Sequence, residues 1–227
     1  MDWTAFGLSL KLACWTCALL IPASLILARW LAWSGARGKP LVEALLMLPL
    51  VLPPTVLGYY LLVGLAPTSL VGHLLAGIAG RPLVFSFPGI LLASLIVNLP
   101  FAVQPMQRAF ESVDPHLREA AWVSGLSNLE TFRRVELPLA WPGVVSALAI
   151  VFAHTLGEFG VILMVGGSIP AETQTLSIAI YDRMQAFRNG EAAAMAAALL
   201  AFSFLAIAVV HLAARQGRRA APDGASR

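Results

Sequence analysis

Five stretches of this chain carry no charged side chain: 12–28, 44–80, 82–107, 137–157 and 192–214, or 17, 37, 26, 21 and 23 residues. A helix needs about 20 apolar residues to cross a hydrocarbon core of about 30 Å. The helices of soluble domains, in contrast, carry polar and charged residues along their outer face. The uninterrupted runs therefore read as membrane spans. Composition agrees, with 59% of residues apolar and 12% charged, against about 25% charged in an ordinary soluble domain. That excludes a disordered chain and a nucleic-acid arm. The expected fold is all-α: a polytopic transmembrane bundle of five spans in one domain over 1–215, with a short cytoplasmic tail at 216–227.

The first run has a signal-peptide flavour, since Lys11 precedes an apolar stretch. The apolar character continues through Trp30, Leu31 and Trp33 without an A-x-A cleavage site, and Trp at the end of a span suits an interfacial anchor. This segment is expected to stay as a helix. The 37-residue run is too long for one span, and its second part, with Pro67, Gly72, Gly77, Gly80 and Pro82, is expected to hold a re-entrant turn or a short sixth helix. Segment 166–190 reads as an amphipathic helix on the outer face.

Charge placement orients the bundle. With the N-terminus outside, five spans put 29–43, 108–138 and 215–227 in the cytoplasm, and these segments hold eleven of the fifteen Lys and Arg residues. That is the positive-inside bias, so N-out and C-in in a bilayer is the expected topology.

The segment 111–138 differs from the rest: eight of its 28 residues are charged. Asp114-Pro115 forms an N-cap and first-turn pair, Gly125 suits a left-handed helix end, and Ser127 with Glu130 forms a capping box. Glu130 and Arg134 then make an i,i+4 pair. A helix, a glycine turn and a second helix follow. Ala120 and Ala121 leave a smooth patch flanked by Leu117, Trp122 and Val123, which suits docking into a groove. Spacing alone also admits an ordinary solvated loop.

The order Glu119-Ala120-Ala121, three residues, Gly125, nine residues, then Val135-Glu136-Leu137-Pro138 resembles the EAA signature of ABC importer permeases. Leu48-Pro49-Leu50-Val51-Leu52-Pro53-Pro54-Thr55, Gly157-Glu158-Phe159-Gly160, and Gly166 through Thr175 are similar to the permeases of molybdate importers. The similarity runs from about residue 5 to 214, and permeases for sulfate and tungstate are relatives. The resemblance implies that 115–135 is a coupling helix for a cytoplasmic ATPase, with Glu119, Ala120, Ala121, Gly125, Val135, Leu137 and Pro138 as its signature. It also implies two ATPase copies, a molybdate-binding protein outside the cytoplasmic membrane, and alternating access. No G-x-x-x-x-G-K-[ST] motif occurs in the chain, so ATP is expected on the partner, with no cofactor and no nucleic acid on this chain. Five or six helices cannot enclose a path, and a homodimer with the path on its two-fold axis is expected.

Candidate path or gate residues are Thr55, Asn98, Ser146, Thr155, Glu158 and Ser203, with hydrogen bonding between helices as the competing reading for the neutral ones. Glu158 lies about 30 Å of helix beyond Pro138, which predicts a place near the outer boundary and a structural or gate-locking role. The remote alternative, a membrane-embedded enzyme, has only His154 and Glu158 to draw on and no evident nucleophile. Cys14 and Cys17 read as small buried apolar residues within the first span, and no metal site is expected.

Overall fold

A computed structural model describes residues 1–219, so 220–227 of the expected tail lie outside the described residues. It is built of helices, with no strand among the described residues. Helices long and apolar enough to cross a membrane are α1 (Trp3–Trp33), α5 (Phe87–Glu111), the segment Asn128–Gly157, and the first part of α11, Asn189–Val210. Two shorter helices, α2 (Lys39–Val51) and α3 (Pro54–Leu65), reach that length and apolar character only together and are bent by 111° at their junction.

That bend follows from two adjacent prolines. A residue before proline is pushed out of the helical region, and here the rule applies twice in succession. Leu52 precedes Pro53 and takes ψ 137, while Pro53 precedes Pro54 and takes ψ 139. Pro54 then opens α3 at a position where its missing N–H costs nothing. The remainder of the 37-residue run contains α4 (Leu70–Ala79), a ten-residue helix too short to cross.

α5 is the axis of the bundle. Ile90, Ala93, Val97, Val103, Met106 and Phe110 along it are all buried. Toward one end it packs with Leu12 of α1, Leu57 of α3, and Ile162 of α9 (Gly160–Gly166). Toward the other it packs with Ala28 and Leu31 of α1 and with Ala140 and Val144 of α8 (Leu137–Gly157). Gly143 lets α5 and α8 touch: a Cβ there would stand 2.4 Å from the Ala109 methyl and 2.6 Å from the Pro105 carbonyl oxygen.

The segment 166–190 holds a helix with one buried and one open side. It contains α10 (Leu176–Gln185), whose Leu176 and Ala179 are buried against Ala5 of α1 and Met195 of α11 (Asn189–Arg219). Met184 and Phe187, further along the same segment, are exposed.

Candidate functional site

Residues 111–138 form the expected helix, turn and helix. α6 (Pro115–Val123) starts at Asp114, whose carboxylate accepts the His116 N–H. It ends in a Schellman turn: Gly125 N–H donates to Trp122 O at 2.9 Å, Leu126 N–H donates to Ala121 O at 3.1 Å, and Gly125 stands at φ +85°. Only glycine takes that left-handed conformation freely. α7 (Asn128–Thr131) opens with the reciprocal Ser127–Glu130 capping box. The Ser127 backbone N–H and hydroxyl hold the Glu130 carboxyl below the usual carboxylate range, and Arg134 lies 3.7 Å from it.

The outer side of this loop is unusually apolar for an exposed helix. Val123 is 90% exposed, with Leu117, Trp122 and Leu129 also open. Glu119 stands free except for His116 at 3.5 Å, and Ala120 is exposed while Ala121 is buried beneath it. Val135 and Leu137 are partly covered, and Leu137 joins the α1–α5–α8 core together with Phe132.

Between α7 and α8, Phe132–Glu136 winds as a π-helical turn, with Leu137 N–H reaching back to Phe132 O. The cause is Pro138, which supplies no N–H and whose ring would strike the carbonyl one α-turn earlier. The wider turn relieves that clash and shifts the phase of the side chains by one residue. Glu136 thereby turns inward and is fully buried. There it receives Arg29 of α1, with Nε and Nη2 at 2.5 and 3.1 Å, and Arg118 of α6, with Nε at 2.9 Å. Arg118 also stacks on Trp33, 3.9 Å from the ring centre, and on Trp122. One carboxylate thus joins α6, α1 and the root of α8. The sequence gives no sign of this hub, since Glu136 sits at an unconstrained position of the motif. Only the helical phase set by Pro138 points it inward.

The second locus is the break between α8 and α9. A cleft of about 550 Å³ is lined by Pro54, Thr55, His154, Glu158 and Gly160 among others. It adjoins a smaller one of about 210 Å³ that shares Pro54, His154 and Glu158 and reaches Val97 and Phe101. Since Val97 and Phe101 occupy the middle of the 25-residue α5, Glu158 lies at mid-span rather than near the outer boundary. α9 carries the chain on past the break, so Glu158 stands at an interruption of the helical path and not at its end.

A chain of polar side chains leads into this cleft. Thr16 and Ser94 hydroxyls lie 2.9 Å apart, and Asn98 donates to Ser94 O at 2.8 Å. Asn98 Oδ1 meets His154 Nδ1 at 3.1 Å, and His154 meets Glu158 at 3.5 Å. The structure thus brings Thr55 and Glu158 to one cleft, with His154 as the member the sequence left aside, while Asn98 is fully buried and reaches the cleft only through His154. Thr155 is buried and donates to Val151 O within its own helix. Ser146 and Ser203 line neither cleft.

The chain is thus a polytopic helical bundle whose capped, apolar-faced loop is tied to α1 and to the root of α8. Residues 21–219 match the family described as the binding-protein-dependent transport system inner membrane component, and the chain belongs to that family. Within it, the molybdenum transport system permease protein ModB of Azotobacter vinelandii is 41% identical over 94% of this chain and 95% of its own length. ModB of Escherichia coli K12 is 35% identical over 93% and 90%. The sulfate transport system permease protein CysT of Salmonella typhimurium is 33% identical over 83% and 70%. The crystal structure of a bacterial ABC transporter that imports alginate superposes with a TM-score of 0.75 over 96% of this chain and 79% of that one; at 21% identity this likeness shows the fold alone. The chain is a transporter permease subunit and not an enzyme.

Proposed function

We propose that this chain is the membrane subunit of an ATP-driven importer for molybdate, working as a homodimer in the bacterial cytoplasmic membrane. The observation that carries the substrate is the identity to molybdenum permeases along almost the full length of both chains. Two copies of a separate ATPase dock on α6, whose exposed Leu117, Trp122 and Val123 supply apolar anchors and whose Glu119 supplies a charge. A molybdate-binding protein outside the membrane delivers the anion. Topology is N-out and C-in, in keeping with the basic residues of 29–43, 108–138 and 215–227. The permease domain spans 1–215, with the coupling loop inside it.

ATP-driven closure of the two ATPases draws the paired coupling helices together. The Arg29–Glu136–Arg118 hub passes that displacement to α1 and α8, so that the spans swing as units between inward-open and outward-open states. The path runs past the cleft at the α2–α3 and α8–α9 breaks. Exposed Val51, Tyr59, Tyr60 and Val63 beside it supply an apolar face for the second copy. A bare carboxylate repels an oxyanion, so Glu158 holds His154 and closes the gate instead of ligating cargo, while Asn98 orients the ring. The Thr55 hydroxyl, exposed on the cleft, is a donor to the passing anion.

The test is uptake of labelled molybdate by cells lacking their own high-affinity system and supplied with this chain, its ATPase and its binding protein. ATP-dependent uptake that resists excess sulfate is the expected result. Sulfate carried in place of molybdate would favour the second reading, which the identity to the sulfate permease supports; tungstate competition separates the remaining anion.

A further inference from the structure

The underside of the hub opens into a cavity of about 660 Å³ whose lining includes Arg29 and Arg118 and no acidic residue. The one carboxylate near them, Glu136, is fully buried behind and answers two guanidinium groups, which leaves one positive charge in excess. Arg118 keeps 15% of its side chain open and is clamped flat against Trp33, so its charge is fixed in place. One side of the wall is a stripe of Ile26 and Trp30 on α1 that ends at its cap Ser34, and Asn128, Leu129 and Phe132 complete the lining. This stripe runs for about 12 Å at 1.5 Å per residue, from the loop into the span. Ile26 at its far end is 73% exposed.

We infer that this cavity binds one anionic phospholipid of the inner leaflet, its phosphate against Arg118 and Arg29 and an acyl chain along Trp30 and Ile26. A soluble phosphate would satisfy the arginines but leave the Ile26 stripe bare. Basic pockets beside helices at the cytoplasmic face suit acidic headgroups, and Trp at the same level suits the interface. A bound lipid would brace α6 against α1 at the hub. The inference rests on the cytoplasmic placement of 111–138 but not on the cargo, so lipid binding and anion uptake can fail separately.

The full chain, purified in mild detergent, is titrated with phosphatidylglycerol or phosphatidylcholine of the same acyl chains and read by native mass spectrometry. One phosphatidylglycerol per chain, held about fivefold tighter than phosphatidylcholine, is expected for a single unpaired charge. Arg118→Gln should remove that preference while Arg29 still answers Glu136. Asn128→Asp places an acid on the cavity wall at the start of α7, where a helix tolerates it well; it should remove the preference too, with elution and circular dichroism unchanged. Equal affinity for the two lipids, a preference that survives both substitutions, or displacement of the lipid by millimolar inorganic phosphate would each overturn the inference.

Discussion

Replacing Glu136 with Gln leaves the shape of the hub and removes its only negative charge. Arg29 and Arg118 then face each other across a fully buried amide. Removing one partner of a buried ion pair costs about 3–5 kcal/mol, because the remaining charge is left uncompensated. Two details pull the value to the lower end. The arginine side chains keep 30% and 15% of their area open and can recruit water, and the Gln carbonyl still accepts one hydrogen bond. About 3 kcal/mol is therefore expected, and at roughly 2–4 °C per kcal/mol for a chain of this size that is a fall of about 6–12 °C in melting temperature. Trp33 and Trp122, stacked on Arg118, make intrinsic fluorescence in detergent a direct readout. Arg29→Gln and Arg118→Gln each leave a one-to-one pair and should cost less. A Glu136→Gln protein that melts within a degree of wild type would refute the reasoning, since the arginines would then be solvated independently of the carboxylate.

Gly125→Val should strain the loop by about 1–2 kcal/mol, the penalty of a left-handed Cβ-bearing residue, with no clash because the space around Gly125 is open. ATPase retained on purification should fall and uptake with it, while Gly125→Asn recovers much of both; normal uptake by the Val variant would count against the coupling role. Gly143→Val drives a side chain into Ala109 and Pro105, so folded protein on fluorescence-detected gel filtration should drop sharply, whereas Gly7→Ala, with open space around it, should behave as wild type. For Glu130 the sign is fixed by its lowered pKa: the capping box contributes above the ordinary carboxylate pKa and is lost as pH falls through the depressed value. Amide-exchange protection of residues 128–131, corrected for intrinsic rates, should decline over that interval in wild type and stay flat in Glu130→Gln.

The sequence by itself determined the class of fold and the local grammar of the loop. Charge-free runs long enough to cross a bilayer have few soluble alternatives, because a backbone in lipid must satisfy its own hydrogen bonds as helix. Asp114, Gly125, Ser127 and Glu130 act on neighbours a few residues away, so their caps and turn could be read from spacing and are found as read. Pro53 and Pro54 break the helix by local sterics, but the 111° angle between its halves is not a local property. What lay beyond the sequence depends on partners distant along the chain. The inward face of Glu136 needed both the extra residue of the π turn and two arginines, 107 and 18 positions away. The depth of Glu158 needed the neighbouring α5 as a ruler, and α9 needed α3 and α5 to bury it, since seven residues have no periodicity to declare themselves. Local hydrogen bonds and hydrophobic length act over a few residues or one helix, so sequence carries them; ion-pair hubs and clefts exist only where helices cross, and tertiary packing alone decides where that happens.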